Sequence, residues 1–342
     1  MYRKLVIICV ISVLALASVS LGGSERRLGT AGAQYLRIPV GSRGTAMGGA
    51  IGADAYGTEA IFYNPAGVAL IEGTEVMFSH LNYFAGMDLN YFAITTAIED
   101  FGSIGISAKV LSVGDIVKTT WNASTAIGTG ETYNPSSAVI GLTYSRVLTD
   151  RVTFGITGKF LNEQIDLVSA KGVAIDFGVN YDTKWNNLRL GLVIKNLGPS
   201  MAFEGEGLDY PVQAPGTNPQ VSPVHTFSAK SAKFELPAWV QLSMAWDAYN
   251  QDMHRATVFG TFEANTFSKD LYRAAFEYAY DEKYFIRGGY TLDDDQTDYL
   301  YGLTFGAGAT FSFGETEVTF EYSWNQTEFF DNNQYFTGKI NF

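Results

Sequence analysis

The side chains that most often carry out catalysis or bind metal ions are scarce in this sequence. The three histidines, His80, His225 and His254, lie far apart and lack the spacing of a metal-ligand set. Ser79 precedes His80, but adjacent residues of a strand point to opposite faces, so the pair could not act together there. No Gly-x-Ser-x-Gly nucleophile motif occurs. We therefore expect no enzymatic activity, no metal site and no bound cofactor.

The composition narrows the class of protein. Aromatic residues make up 14% of the 342 residues, charged residues make up only 17%, and the mean hydropathy is +0.03. The formal net charge of −12 argues against a nucleic-acid partner, which requires a basic surface. Beyond the N-terminus, no apolar run reaches roughly the 18 residues of a transmembrane helix. Many aromatics and few charges are typical of strands that are wet on one side only.

The N-terminus predicts export by the general secretory route. Residues 2–4 are basic, residues 5–16 form an apolar run, and residues 15–17 have the small-residue pattern of a cleavage site. We expect residues 1–17 to be a cleaved signal peptide, with an uncleaved anchor as the alternative. The only cysteine, Cys9, lies in this region, so the mature chain would have no disulfide.

From about residue 73 to the C-terminus, apolar and polar side chains alternate with a period of two. In residues 317–324, for example, valine and aromatic residues occupy one face, and glutamate, threonine and serine the other. The segments are about ten residues long, tyrosine and tryptophan recur near their ends, and the polar face carries full charges. These features are typical of a transmembrane barrel, whereas a soluble sandwich has shorter strands and a dry core. We predict an all-β fold, an antiparallel outer-membrane β-barrel over residues 73–342.

The alternation predicts about fourteen strands, an even number as in single-chain bacterial barrels. If both ends of the barrel chain lie in the periplasm, every turn on that side is short. The long connections, near residues 113–135, 199–232 and 325–332, then all lie outside, and this asymmetry is typical of outer-membrane barrels. We expect the two longest of these connections, residues 113–135 and 199–232, to form a surface that binds a ligand or a partner protein. The predicted strands are 73–84, 87–98, 101–112, 136–148, 151–163, 171–182, 187–198, 233–247, 254–266, 270–281, 283–292, 298–313, 315–325 and 333–342.

Charged side chains fall on the predicted inner face of the barrel. An arginine or lysine facing lipid near the midplane would cost about 2–4 kcal/mol, so these residues set the register. We interpret them as a salt-bridge lattice that seals the lumen, with Arg43 as a candidate partner from the N-terminal segment. A selective ion pathway is the alternative. The predicted lattice residues are Lys159, Asp176, Arg189, Lys195, Arg255, Glu263, Arg273, Glu277, Arg287, Glu317 and Glu321.

The last predicted strand ends on an aromatic residue. Phe336, Ile340 and Phe342 share one face of it. The pattern resembles the C-terminal signal that the outer-membrane assembly machinery recognises, although an ordinary amphipathic strand would look the same. We expect this machinery and outer-membrane lipid to be partners, in a Gram-negative, diderm bacterium.

Residues 18–72 lack the alternation and are rich in glycine and alanine. Gly48 and Gly49 permit a tight turn, while Asn64 can cap a short helix that has Pro65 at its first position. A compact segment ahead of the first strand most simply folds back into the lumen. We therefore predict an N-terminal hatch that plugs the barrel.

An ordered series of motifs resembles a known family. Ile-Pro-Val-Gly-x-Arg (38–43), Met-Gly-Gly-Ala (47–50) and Asn-Pro-Ala-Gly (64–67) are similar to the N-terminus of PorV/PorQ family proteins. Asn-Leu-Gly (196–198) and Leu-Pro (236–237) resemble the middle region of that family. PorV/PorQ proteins belong to the wider FadL-like group of fourteen-stranded barrels with a hatch. The hatch or gate candidates that this resemblance assigns are Arg43, Met47, Gly48, Gly49, Asn64, Pro65, Ala66 and Gly67.

The resemblance implies two alternative functions. PorV-type members serve type IX secretion, in which they bind secreted cargo proteins and deliver them to a cell-surface attachment complex. FadL-like channels instead pass long-chain fatty acids or other hydrophobic small molecules through a lateral opening past the hatch. We take the secretion role as the first expectation and the channel as its alternative. The hatch motifs fit a gating role or a purely structural one.

Overall fold

The computed structural model describes residues 27–125, 127–213, 224–293, 301–328 and 330–342. The predicted signal peptide, residues 1–17, and the first residues of the predicted hatch lie outside these ranges. Among the described residues, no helix has the length and apolar character needed to cross a membrane.

Fourteen long antiparallel strands form a closed barrel, which confirms the predicted all-β fold and strand number. Each strand pairs with its neighbours in the sequence, and the last strand closes the barrel against the first, with Asn341 opposite Glu75. The strands are β1 (Thr74–Asn82), β2 (Asp88–Ile98), β3 (Gly102–Ser112), β4 (Ser136–Thr149), β5 (Val152–Ile165), β6 (Val168–Asp182), β7 (Leu188–Leu197), β8 (Trp239–Gln251), β9 (His254–Asn265), β10 (Leu271–Tyr280), β11 (Tyr284–Asp293), β12 (Tyr301–Phe313), β13 (Thr316–Thr327) and β14 (Asn333–Asn341).

The largest difference from the predicted boundaries is at β8. The alternation predicts a strand from residue 233, but β8 begins at Trp239. Pro237 has no N–H to donate to a neighbouring strand, so regular pairing cannot run through it. Residues 234–238 therefore leave the sheet pattern, which matters for the wall described below.

The two ends of the barrel differ in their connections. At one end, called here the short-turn end, β4 and β5 are joined by residues 150–151, and β12 and β13 by residues 314–315. At the other, the long-loop end, residues 113–135 contain paired short strands, Ile116–Val117 and Thr132–Tyr133. The connection from β7 to β8 contains a second hairpin, Asp209–Gln213 with Val224–Ser228, and a two-residue strand, Phe203–Glu204, that pairs with β6.

Residues 27–72, called here the hatch segment, precede β1. They form two short α-helices, α1 (Ser42–Ala46) and α2 (Gly57–Tyr63), and three 3-10 helices (Gln34–Arg37, Ala50–Ala53 and Pro65–Leu70). Every residue of α1 is buried, and so is all of α2 except Phe62. Side chains from strands all around the barrel contact the segment, so it occupies the lumen.

Inward-facing glycines of the wall make room for the hatch backbone. A Cβ on Gly155 of β5 would lie 2.2 Å from the carbonyl carbon of Pro65, closer than any real contact. A Cβ on Gly191 of β7 would lie 2.4 Å from the carbonyl oxygen of Gly52. Because backbone cannot give way like a flexible side chain, these positions exclude larger residues. The wall glycines, as we call them, are Gly155, Gly178, Gly191, Gly289 and Gly306.

The inner face of β2 and the neighbouring Met77 of β1 are apolar, contrary to the expected polar lumen. Met77, Leu89 and Tyr91 point inward and are almost fully buried in one cluster with Ile61 of α2. Phe92, which blurs the sequence pattern of β2, points outward. Both faces of β2 are therefore apolar because the hatch, and not water, covers its inner face.

We expect Gly155→Val to destabilise the folded protein by about 1–3 kcal/mol, because the added side chain overpacks the lumen against Pro65. Gly158→Val is the matched control: Gly158 lies on the same strand, and a Cβ there has nothing within 4 Å. The measurement is the urea midpoint of unfolding in detergent micelles. Equal midpoints for the two variants would show that the hatch backbone is not seated on the wall.

Candidate functional site

A cavity of about 440 Å³ lies between the hatch segment and the long-loop end of the barrel. Phe62, Trp239 and Leu271 supply apolar and aromatic lining, while Gln241 and Thr304 supply polar groups. The hatch residues from Arg37 to Gly49 that line it bound the cavity on the side of the short turns. The site is thus an amphipathic chamber that opens toward the long loops.

Four cations and two carboxylates line the cavity among the residues that the structure describes. They are Arg37, Lys195, Lys269 and Arg273, with Glu263 and Asp293. Glu263 is shared by two of the cations, at 2.7 Å from Arg273 and 3.4 Å from Arg37. Arg37 and Lys269 are only partly buried, so the fully buried cation of the lining is Lys195.

Lys195 is the most distinctive cation of the cavity. It is 2% exposed, its ammonium lies 3.7 Å from the centre of the Phe62 ring and 5.1 Å from that of Trp239, and it donates to the carbonyl oxygen of Phe62. No carboxylate of the described residues lies within salt-bridge distance of it. Sequence analysis places Lys195 in the salt-bridge lattice, but the structure pairs it with aromatic faces and backbone instead.

Lys109 of β3 contacts the hatch near the same ring. Its ammonium donates to the carbonyl oxygen of Ile38 at 2.5 Å and lies 4.9 Å from the centre of the Phe62 ring. Two buried lysines from β3 and β7 therefore hold the same part of the hatch. Sequence analysis missed Lys109, although its position in the alternation of β3 marks it as inward-facing.

A buried ionic network connects the hatch to the wall on the far side from β3. Glu277, which is 1% exposed, accepts from Arg43 at 3.0 Å, from Arg287 at 2.7 Å and from Arg255 at 3.3 Å. Arg287 continues to Glu321 at 2.8 Å. Glu277 is therefore the hub on which three guanidinium groups depend.

The same network continues through Lys339, which the lattice prediction omits. Lys339 lies 3.1 Å from Glu321 and 2.8 Å from Glu59 of α2. Glu59 in turn accepts from the backbone N–H of Gly44 at 2.9 Å. The inward position of Lys339, between apolar outward residues of the last strand, is the signal that could have identified it.

The other predicted lattice residues divide into three groups. Arg189 bridges Asp54 of the hatch at 3.1 Å and Asp247 at 2.7 Å. Lys159 pairs with Asp176 within the wall at 2.5 Å. Glu317 is exposed and forms no ion pair among the described residues, because it lies at the short-turn end where the lumen meets solvent. It does not belong to the lattice.

The Asn-Pro-Ala-Gly element is fully buried against the wall. Asn64 accepts from the N–H of Ala66 at 3.1 Å, and its amide donates to Gly52 at 2.6 Å and to Asn180 at 2.5 Å. A Cβ on Gly67 would lie 1.8 Å from the carbonyl oxygen of Ala55. These contacts, together with the close approach of Pro65 to Gly155, fix the loop next to β5 and β6.

The Met-Gly-Gly element forms the turn after α1. Gly48 and Gly49 have φ of 60° and 84°, in the left-handed region that favours glycine. Met47 is fully buried, and its backbone rests on the wall glycine Gly289 of β11. Both glycines line the cavity, so the turn forms part of its floor.

Burial and charge act together on ionisable groups of the hatch. Burial alone would lower the pKa of the Arg43 guanidinium, but the carboxylates of Glu277 and Asp54 raise it well above its usual range. Burial raises the pKa of the Tyr63 hydroxyl well above its ordinary value. Arg43 therefore stays charged and Tyr63 neutral at every physiological pH.

The wall is irregular where β7 meets β8, beside the cavity. Regular pairing ends at Lys195 opposite Trp239, and the strands next bond at Met201 and Phe234, which exchange two backbone hydrogen bonds of 2.9 Å. Between these points Asn196 adopts φ of 59° and its side-chain amide donates to Pro237 at 2.9 Å. We call residues 196–201 and 234–238 the seam.

The seam joins the two middle motifs that the sequence comparison identifies, Asn-Leu-Gly and Leu-Pro. Its inner side is covered by small hatch residues: the N–H of Gly32 donates to Glu235, and a Cβ there would touch the Phe234 ring. Met201 and Leu236 are buried beneath it. Side chains, and not a continuous hydrogen-bond ladder, thus close this part of the wall.

A second cavity, of about 400 Å³, lies on the other side of the hatch at the short-turn end. Asp54, Tyr56 and Leu70 line it from the hatch, and Asn180 and Arg189 from the wall. Residues of the hatch segment thus lie between the two cavities.

Residues that the sequence singles out elsewhere are not brought into a site. Ser79 points inward and accepts from Thr337 at 2.9 Å, whereas His80 lies on the outer face. The described residues contain no group of three or more histidine, cysteine, aspartate or glutamate side chains arranged to hold a metal ion. Phe336, Ile340 and Phe342 are exposed on the last strand, and their role as an assembly signal stays a prediction.

We expect Glu277→Gln to destabilise the protein by about 3–5 kcal/mol, because three arginines lose their buried carboxylate. Glu282→Gln is the control, since this glutamate is 61% exposed and pairs only at the rim with Arg255. It should change stability by less than about 1 kcal/mol. Urea unfolding followed by tryptophan fluorescence measures both. A similar loss in the two variants would contradict the assignment of Glu277 as the hub.

Comparisons with known proteins bear on this architecture. The sequence matches no protein-family model and no curated protein. Among solved structures, it is similar to the Pseudomonas putida toluene transporter TodX, with 12% identity, 88% of this chain and 97% of that chain covered, and a TM-score of 0.55. For the monoaromatic hydrocarbon channel CymD the identity is 12%, the alignment covers 89% of this chain and 96% of that chain, and the TM-score is 0.54. For a Pseudomonas aeruginosa FadL homologue the identity is 14%, the alignment covers 89% of this chain and 98% of that chain, and the TM-score is 0.52.

At these identities the similarity shows the fold alone. The resemblance to PorV/PorQ proteins stays a prediction. The chain therefore shares the barrel fold of these three proteins.

Proposed function

We propose that this protein is an outer-membrane channel for hydrophobic small molecules, and that they leave the barrel sideways through the seam. The main support is the amphipathic cavity, which lies above the hatch on the long-loop side. Lys195 and Trp239 line this cavity and are also the last regular pair before the seam. No enzymatic step is part of this proposal.

The first argument concerns the hatch. It lies directly against the wall glycines, and buried ion pairs join Arg43 to Glu277 and Glu59 to Lys339. A partly buried pair joins Asp54 to Arg189. Moving it would break several of these contacts at once, each costly in a buried site. We infer that residues 27–72 act as a fixed hatch, and that Asn64, Pro65, Ala66, Gly67 and the turn glycines brace it and do not open it.

The second argument concerns the seam. Proline at 199 and 237 removes two backbone donors, and the positive φ of Asn196 turns the strand away from its partner. Opening here requires breaking side-chain contacts and few ladder bonds. Local stability is lowest where a wall has few backbone hydrogen bonds, so the seam is where a lateral opening would form.

The comparisons support the channel over secretion. Two of the similar solved structures, TodX and CymD, are named as a toluene transporter and a monoaromatic hydrocarbon channel. We carry to this chain the general class, hydrophobic small molecules taken up across the outer membrane of a diderm bacterium. The role in type IX secretion that the hatch motifs first suggested, with cargo proteins and an attachment complex as partners, has no support from these neighbours.

The lining of the cavity suggests which hydrophobic molecules enter. A pure hydrocarbon has no group that could pair with the buried ammonium of Lys195, whereas the carboxylate of a long-chain fatty acid would pair with it. The apolar chain would then lie along Phe62, Trp239 and Leu271. We propose acid-headed amphiphiles as the preferred ligands.

A disulfide across the seam should block transport. The backbone pairing of Met201 and Phe234 places their Cα atoms about 5.5 Å apart, within disulfide range. In a diderm host without its own fatty-acid channel, the oxidised double variant M201C/F234C should take up radiolabelled palmitate at least about fivefold more slowly than the reduced form.

The reduced double variant serves as its own control, because both forms share the same lost side chains. Equal uptake in the two forms would contradict the seam as the exit. Failure of the unmodified protein to raise uptake of either palmitate or toluene above the empty host would contradict the channel itself.

Lys195→Met should change selectivity. Without the ammonium, we expect palmitate to bind roughly tenfold more weakly, while toluene binding changes less than about twofold, since only the acid needs the charge. Isothermal titration in detergent measures both ligands. Lys283→Met is the control, because Lys283 lies in a short turn outside the cavity lining and, among the described residues, pairs only with the exposed Asp281. If K195M weakened the binding of palmitate and of toluene equally, the Lys195 charge would not determine ligand selectivity.

A further inference from the structure

A β-bulge interrupts the pairing of β6 with β7 directly beside the cavity. Between Ile175 and Phe177 of β6, the register with β7 shifts by one residue. Two residues of β7, Lys195 and Asn196, therefore lie opposite the single residue Asp176. An extra residue of this kind re-aims the side chains around it, and all three of these residues are almost fully buried. The bulge thus places the buried cation of the cavity and Asn196 side by side.

Asn196 is hydrogen-bonded in three directions. Its backbone N–H donates to the Asp176 carboxylate at 2.8 Å. Its side-chain oxygen accepts from the Lys159 ammonium at 2.8 Å, and its side-chain NH2 group donates across the seam to the Pro237 carbonyl at 2.9 Å. Its φ of 59° lies in the left-handed region, which asparagine tolerates better than most residues. The residue is therefore suited to hold this position.

The chemistry of these partners fixes which way the Asn196 amide points. An ammonium group can only donate a hydrogen bond, and a carbonyl oxygen can only accept one. The amide oxygen must therefore face Lys159, and the NH2 group must face Pro237. Lys159 is itself held at 2.5 Å by Asp176, which is fully buried. The Lys159–Asp176 pair thus orients the amide that crosses the seam.

One side of the seam is packed tightly on β6. A Cβ on Gly198 would lie 2.2 Å from a backbone carbonyl oxygen of β6, and a Cβ on Gly172 of β6 would lie 2.7 Å from the Met201 side chain. Packing this close leaves residues 196–201 little room to shift. An opening of the seam therefore moves its other side, residues 234–238, which we call the leaf.

The leaf is hydrogen-bonded across the seam near both of its ends. Toward the long loops, Phe234 exchanges two backbone hydrogen bonds with Met201. Beside the cavity, Pro237 has no N–H to donate, and its carbonyl accepts from the Asn196 side chain. Among the described residues, no other hydrogen bond joins residues 236–238 to the β7 side of the seam. The Asn196 amide therefore takes the place of the missing backbone ladder at this end.

We propose that Asn196 is the latch of the seam: its amide holds the leaf closed, and the Lys159–Asp176 pair holds the amide in place. This inference rests on the proposed function, because it concerns the lateral exit. It gives the Asn-Leu-Gly and Leu-Pro motifs a shared role, since Asn196 and Pro237 are the two partners of the latch bond. The bulge also places the latch next to Lys195, the cation that pairs with an acid group in the proposed function.

The test is hydrogen–deuterium exchange of the full-length protein in nanodiscs, without any ligand. Asn196→Gly tolerates the positive φ and keeps the backbone bond to Asp176, so it removes only the side-chain bonds. We expect the amides of residues 234–238 to exchange at least about fivefold faster than in the unmodified protein, because a bond that closes the leaf is lost. Amides of α1 and α2 should stay protected.

Asn187→Gly is the matched control, since Asn187 also has a left-handed φ, of 54°, but lies in an exposed short turn. It should leave the exchange of the leaf unchanged. Asn196→Asp is the second variant. It keeps the size of the side chain and the oxygen that faces Lys159, but it presents a second oxygen to the Pro237 carbonyl, and two acceptors cannot bond. The leaf should exchange at least about fivefold faster in this variant too.

Unchanged exchange of the leaf in either N196G or N196D would overturn the latch. A rise spread evenly over the strands of the barrel would also overturn it, because that result indicates a general loss of stability. Palmitate uptake by N196G is measured separately. If the leaf exchanges faster in both variants but uptake is unchanged, the latch stands and the lateral exit of the proposed function is contradicted.

Discussion

The structure depends on how the lumen satisfies a polar backbone that is shut away from water. The hatch is made of short helices and turns, so many of its N–H and C=O groups have no partner within the segment. Side chains of the wall supply partners: Thr337 accepts from the N–H of Ser42, Thr304 donates to Ala46, and Ser145 donates to Ala66. Lys109 and Lys195 donate to two further carbonyls.

This requirement explains why the inner wall alternates small and polar residues. Glycines let the hatch backbone approach the wall closely, and threonines, serines and charged residues beside them bond it. The ionic network around Glu277 then fastens the same segment through Arg43. A hatch held by so many short contacts resists moving as a unit, so the least stable part of the barrel lies elsewhere. It lies at the seam, where two prolines and a left-handed Asn196 interrupt the ladder.

Much of this architecture could be predicted from the sequence. Period-two alternation identifies the fourteen strands because each has a lipid side and a lumen side, and charged residues such as Arg287 fix which side is which. Asn64 before Pro65 marks the cap that the structure shows. The alternation fails for β2, since Leu89 and Tyr91 face an apolar hatch helix and not water.

The site itself could not be read from the pattern. The alternation shows that Lys195 faces inward, but not that it meets the Phe62 ring rather than a carboxylate. Pairing between distant residues, such as Lys339 with Glu59 or Asn196 with Pro237, depends on how the hatch threads the lumen. The spacing of residues along the sequence does not determine that path.

The central claim is that the hatch stays in place while the seam opens, and hydrogen–deuterium exchange tests it most directly. Exchange would be followed by mass spectrometry of the full-length protein in nanodiscs, with and without palmitate. The account predicts that palmitate changes the exchange of amides in residues 196–201 and 234–238, while those of α1 and α2 stay protected. Faster exchange throughout α1 and α2, with the seam unchanged, would contradict it and assign the route to the hatch.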